Sequence, residues 1–359
     1  MSIGGVRPAV QAMPAYRPGK AAEQAEEEHG ITNAIKLASN ENPYPPVPSV
    51  VNAIARAAAG VNRYCDHLAV DLRTAIGDMV GTDLDSVAVG CGSVGLLQQL
   101  CLAYLDPGDE VVYPWRSFEA YPVNIQMMGA VSVQVPLVDH AFDLAAVADA
   151  VTDRTKLIML ATPNNPTGTA LTVDAMRVML TKIPPSVVVL IDEAYREFLD
   201  PSFGDPVELL ADHPNAVVSR TFSKAYGLAG LRVGYMVANP EIIDEINKVL
   251  APFAVNALAQ AAGLAAIAAR DEYEPFLTTL RSERERVVQT LTASGWQLPD
   301  TQANFVYLPL GERTHEVYVE IERRGVVTRP FAGEGVRVTI GTAEENDRFL
   351  ATLAEVASP

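Results

Sequence analysis

The chain has 359 residues, 49% hydrophobic and 20% charged, with a formal net charge of −17 at pH 7. That composition describes a globular protein with a large core and about two domains, and it excludes a disordered chain. The acidic balance argues against nucleic acid and anionic membranes as partners. There is no uninterrupted apolar run of membrane-spanning length, and residues 1–10 lack the apolar stretch of a signal peptide.

Cys65, Cys91 and Cys101 have no C-x-x-C spacing, which points to a reducing cytoplasm and no structural metal. The five histidines are scattered and read as surface or packing residues. Residues 1–35 form an irregular arm, and the helical-looking acidic patch Glu23, Glu26, Glu27 and Glu28 reads as a solvated face. Residues 36–250 alternate strand and helix patterns, so the expected fold is α/β. Its large domain has a mostly parallel seven-stranded-type sheet between helices. Residues 251–359, with a linking helix, make a smaller α+β domain. That unit has strands near 303–308, 325–329 and 335–340, the last two expected to pair.

The first chemical signal is Gly90-Cys91-Gly92-Ser93-Val94-Gly95, after a short strand and opening a helix. It matches the dinucleotide-binding pattern G-x-G-x-x-G. That pattern also wants an acid at the end of the next strand. The strand 110–113 ends in Pro114-Trp115-Arg116, with no acid following. A helix N-terminus holding a single phosphate through Gly92, Ser93 and Val94 is the better reading. Phe118 and Tyr121 follow in Trp115-Arg116-Ser117-Phe118-Glu119-Ala120-Tyr121, and Tyr121 reads as core packing.

Next comes Thr162-Pro163-Asn164-Asn165-Pro166-Thr167-Gly168, a rigid turn presenting two asparagines at a strand's carboxyl end. The apolar, β-branched run 186–191 then ends in Asp192-Glu193-Ala194-Tyr195. Ligands of open α/β sheets bind outside the carboxyl ends of strands, so Asp192 is a site acid or, equally, a helix N-cap. Lys224 stands in Thr221-Phe222-Ser223-Lys224, with Arg232 eight residues on. A lysine with a lowered pKa is a Schiff-base nucleophile, while Thr221, Ser223 and Arg232 supply donors for a phosphate. An amine beside a phosphate cradle suggests pyridoxal 5′-phosphate (PLP). Asp192 would then face the pyridine nitrogen and keep the ring an electron sink. Near the C-terminus Arg337 alternates with Val336 and Val338, so it points away from their apolar face.

These motifs, from Leu37-Ala38-Ser39-Asn40-Glu41-Asn42-Pro43 to Val336-Arg337-Val338-Thr339-Ile340-Gly341-Thr342, make the chain resemble fold-type I PLP-dependent aminotransferases. Within them it resembles the histidinol-phosphate aminotransferase family. The resemblance implies that Lys224 carries the cofactor and Asp192 pairs with the ring nitrogen. Asn165 and Tyr195 then contact the 3′-oxygen, Phe118 stacks on the ring, and Ser223, Arg232 and Thr221 hold the phosphate. It further implies that Arg337 holds the substrate's α-carboxylate, with Arg329 near the same anion or simply a solvated charge. Asn40 lies on the substrate side, Tyr16 is on an arm covering the substrate, and Tyr64 reaches the phosphate of a neighbouring subunit. The last two roles imply a homodimer with shared active sites. Gly90-Cys91-Gly92-Ser93-Val94, the string 114–121 and Gln302-Ala303-Asn304-Phe305-Val306 look most like the aromatic amino acid (phenylalanine) branch. The expected activity is transfer of an amino group from an aromatic amino acid to 2-oxoglutarate in amino-acid biosynthesis. Histidinol phosphate is the alternative substrate. A threonine-phosphate decarboxylase is a fold relative marked by loss of carbon dioxide, and a PLP-binding transcription regulator would need a basic DNA-binding extension.

Overall fold

The computed structural model describes residues 4–13 and 19–359. Its centre is a seven-stranded sheet. From one edge the strands are Val87–Gly90, Gly234–Ala238, Ala216–Thr221, Val188–Asp192, Thr155–Ala161, Glu110–Trp115 and Val131–Pro136. Gly234–Ala238 runs antiparallel to both neighbours, and all other pairings are parallel. The strand before the glycine-rich turn is therefore an edge strand with an antiparallel neighbour. It is not the first strand of a dinucleotide-binding βαβ unit.

The central strands are apolar throughout because helices cover both faces. Val188 and Leu190 pack with helices Gly92–Tyr104, Ala120–Met128 and Pro240–Lys248, whereas Val189 and Ile191 pack with Val173–Leu180 on the other side. Asp192 shares the parity of Val188 and Leu190, so its carboxylate falls on the side of helix Ala120–Met128. Every motif between residues 162 and 224 follows the carboxyl end of a strand.

A second layer is built on helix Arg270–Ala293 and an antiparallel sheet in the order Arg329–Phe331, Gly335–Thr339, Phe305–Pro309. The expected pairing of 325–329 with 335–340 is corrected here. Arg329–Phe331 makes that pair, while Val326–Val327 turns away to pair in parallel with Ile35–Lys36. Helix Ala257–Ala268 packs on helix Pro48–Ala58, so the N-terminal third is stitched to the C-terminal part. The acidic patch lies on helix Ala22–His29, but it is not all solvated. Glu26 is half-buried and accepts the Ala34 backbone N–H at 2.8 Å, whereas Glu23, Glu27 and Glu28 are exposed as expected, Glu28 pairing with Lys20 at 2.7 Å. His29 is half-buried, one of the two placements expected for the histidines, with its Nε2 3.3 Å from buried Glu322. Glu28, His29 and Glu322 converge closely enough to suggest a cation site, yet the Lys20 ammonium contacts both carboxylates.

Candidate active site

A cavity of about 290 Å³ opens at the carboxyl edge of the sheet, under the antiparallel hairpin. Asn40, Ser93, Val94, Phe118, Asn165, Asp192, Tyr195, Thr221, Ser223, Lys224, Arg232, Arg329 and Arg337 line it. Residues separated by nearly 300 positions thus converge as the motifs suggest. Gly92 sits just behind this lining, against Arg232. Tyr64 is on the surface, 84% exposed and stacked on Phe253 with ring centroids 4.3 Å apart. Tyr16 lies outside the described residues.

At the cavity floor the Lys224 Nζ donates to the Ser39 carbonyl at 3.0 Å. Burial of the amine, then the nearby cations Arg337 and Arg232, push its pKa down to about 7. Near neutrality a large share of this amine is unprotonated and able to attack a carbonyl. Asp192 is the counterpart. Burial raises its carboxyl from 3.8 to about 6. One oxygen accepts the Tyr121 hydroxyl at 3.1 Å, while the buried Oδ1 has no hydrogen-bond partner. Such an orphaned acceptor is costly and calls for a cationic donor. Since no α-helix follows Asp192, only the single turn Arg196–Phe198, the N-cap alternative falls away.

Tyr121 is buried in the core as expected, and it has a second role. Its hydroxyl is committed to the site acid. No local pattern reveals this, because it depends on which helix covers which strand. Asn164 and Asn165 also separate. Asn164 is fully buried and spends itself on Ser117, Thr167 and the Arg116 carbonyl, fixing the turn. Asn165 faces the cavity and accepts from Arg337. Asn40 donates to the Tyr195 hydroxyl at 2.8 Å and is held through its backbone and amide by Thr339.

At another wall the Thr221 hydroxyl donates to Ser223 Oγ at 2.9 Å, and Arg232 lies 3.4 Å from the same Oγ. Ser93 and Val94 start the thirteen-residue helix Gly92–Tyr104 beside them. A helix N-terminus, two hydroxyls and a guanidinium form an anion cradle. Gly92 is part of its shape: at φ 72, a Cβ there would lie 2.5 Å from an Arg232 nitrogen. Arg329 and Arg337 occupy the hairpin side of the cavity, directly opposite each other in register. Arg329 pairs with Glu119 at 2.7 Å, and Arg337 donates to the Ala38 carbonyl at 2.6 Å. Glu119, which also lines the cavity, went unnoticed in the sequence because a lone acid between aromatics carries no motif.

A buried amine with a lowered pKa, a carboxylate lacking a cationic partner and an anion cradle are what PLP requires of a protein. The chain belongs to the class I and II aminotransferases, whose family pattern matches residues 32–353. It is a PLP-dependent transaminase of the aspartate aminotransferase-like fold. Among its relatives, an aromatic amino acid aminotransferase of Thermobifida fusca is 49% identical, over 96% of this chain and 95% of that one. One from Streptomyces coelicolor is also 49% identical, over 98% and 97%. Among solved structures, a histidinol-phosphate aminotransferase from Sinorhizobium meliloti in complex with pyridoxal 5′-phosphate superposes with a TM-score of 0.90 at 29% identity, covering 99% and 98% of the two chains. The aspartate aminotransferase of Thermus thermophilus with maleate gives 0.83 at 24% identity, over 98% and 100%, which supports the fold alone.

Proposed function

We propose that this protein is an aromatic amino acid aminotransferase, moving the amino group of phenylalanine or tyrosine to 2-oxoglutarate. The observation that carries the substrate reading is near-full-length similarity, at 47–49% identity, to enzymes bearing that name. PLP, when bound, supplies the protonated ring that takes up the electrons released at the substrate's Cα. The protein's own groups do the rest. Asp192 would keep the proton on the ring nitrogen, through the buried Oδ1 that has no hydrogen-bond partner. Tyr195, which accepts from Asn40, and Asn165, which accepts from Arg337, would serve the 3′-oxygen. Thr221, Ser223, Arg232 and the helix start at Gly92, Ser93 and Val94 would hold the phosphate, and Phe118 would back the ring. Arg337 fixes the substrate α-carboxylate bidentately. With PLP in place, the Lys224 amine would take the proton from the substrate's Cα as general base and return it as general acid.

Residues 36–250 are taken as the cofactor-holding domain and 251–359 as the smaller one. We read the working form as a cytoplasmic homodimer in which Tyr64 reaches the partner's phosphate; its exposure beside Phe253 is consistent with that role. Among the described residues no helix is long and apolar enough to cross a membrane. The test is kcat/KM for L-phenylalanine against L-histidinol phosphate, each with 2-oxoglutarate and added PLP. A strong preference for phenylalanine is expected. Preference for histidinol phosphate, the substrate named for the Sinorhizobium meliloti structure, would overturn the substrate reading.

A further inference from the structure

The hairpin puts Arg329 and Arg337 opposite each other in antiparallel register, so both guanidinium stems leave the same face. Like charges in that arrangement repel and draw in an anion. One anion is already built into the protein: Glu119 reaches across from the loop before helix Ala120–Met128 and pairs with Arg329 at 2.7 Å. It does so from the cavity wall, since Glu119, Arg329 and Arg337 all line the same space. The other carboxylate at the mouth, Glu41, is paired with Lys36 at 2.9 Å, and Arg116 beyond the hairpin is paired with Glu334. Glu119 therefore sets one negative charge against the arginine pair, on the wall of the cavity that the two arginines line.

From this arrangement we infer that Glu119 is a specificity-determining residue, selecting a carboxylate over a phosphate at the arginine pair. The inference rests on the transaminase reading of this site, in which the arginines receive the substrate's anion. A carboxylate carries one negative charge and meets a single repulsion from the Glu119 carboxylate. A phosphate monoester near neutrality carries close to two, and its second charge meets the Glu119 carboxylate. Either ligand competes with Glu119 for Arg329, but the dianion is penalised twice over. Because repulsion scales with the product of charges, removing the Glu119 charge strengthens phosphate binding more than carboxylate binding.

The test uses the PLP-loaded enzyme and Glu119→Gln, which keeps the shape and a hydrogen bond to Arg329 while removing the charge. Two unreactive probes, 3-phenylpropionate and 2-phenylethyl phosphate, are titrated calorimetrically, and kcat/KM is measured for L-phenylalanine and L-histidinol phosphate. In Glu119→Gln the phosphate-to-carboxylate affinity ratio should rise about tenfold, as expected for one charge acting across a partly solvated cavity. The kcat/KM ratio should move in the same direction. Glu119→Asp, which retains the charge, should keep the wild-type ratio. An unchanged ratio in Glu119→Gln overturns the inference, as does an equal rise in Glu119→Asp. General damage to the site lowers both affinities together and leaves the ratio in place. If wild-type enzyme turns over neither amino donor, the substrate reading fails separately, and the calorimetric ratio still decides the role of Glu119.

Discussion

Replacing Tyr121 with Phe removes one hydroxyl, the group that donates to Asp192 at 3.1 Å, and leaves a ring of nearly the same volume in the core. A hydrogen bond to a charged acceptor contributes about 2 kcal/mol, so ionising Asp192 becomes about thirtyfold harder. Burial already holds this carboxyl up at about 6, and losing the donor drives it higher. Only the carboxylate form pairs with a protonated ring nitrogen. PLP affinity of the apoenzyme therefore falls as pH drops through the Asp192 pKa, and that fall begins at higher pH in the variant. At about pH 6 the variant should bind PLP on the order of tenfold more weakly than wild type, with the difference closing above about pH 8. The assay is equilibrium PLP binding to apoenzyme, followed by fluorescence quenching across that range. Lys224 and the PLP phosphate titrate alike in both proteins, so their effects cancel in the ratio. Superimposable pH profiles would refute a positioning role for Tyr121, whereas a uniform loss at all pH values would assign it to packing alone.

Other perturbations separate the parts of the site. Arg337→Leu removes a cation that helps hold Lys224 down at about 7, so the amine titrates at higher pH and the acidic limb of the rate profile moves to the alkaline side. The same variant should lose roughly a hundredfold in kcat/KM for phenylalanine through the lost carboxylate partner, and a kinetically silent change would displace Arg337 from its assigned role. Lys224→Ala should abolish transamination while leaving measurable PLP binding by dialysis, and residual activity near wild type would sink the whole reading. Gly168→Ala puts a Cβ 2.2 Å from Thr301 Oγ1 at a φ of 83, and urea unfolding should show a loss of about 3 kcal/mol. Gly92→Ala combines a φ of 72 with a Cβ 2.5 Å from an Arg232 nitrogen, so it should lower both stability, by about 1–2 kcal/mol, and PLP affinity.

Much of this site can be read directly from the chain because of how buried parallel strands are made. Strands covered on both faces become continuous apolar runs, and the first polar residues after them stand at the ligand edge. Asp192, Asn165, Ser223 and Lys224 could be singled out on that ground before their neighbours were known. The alternation of Val336, Arg337 and Val338 likewise assigned Arg337 to the opposite face from the core, where it lines the cavity. Pairing across long separations is a different matter, since strand order and register are set by how elements pack and not by any local pattern. Only the assembled sheet brings helix Ala120–Met128 over the end of Val188–Asp192, turning Tyr121 from a packing residue into the partner of the site acid. Only the register of the hairpin sets Arg329 opposite Arg337, and only the fold carries Glu119 to them across 210 positions. The early strand Ile35–Lys36 likewise claims Val326–Val327, a parallel pairing that two-residue segments cannot announce. The sequence by itself determined which chemical groups stand at the strand ends, because burial dictates that pattern locally. The tertiary structure decided which charges face one another, because Coulomb and hydrogen-bond energies depend on distances that only packing sets.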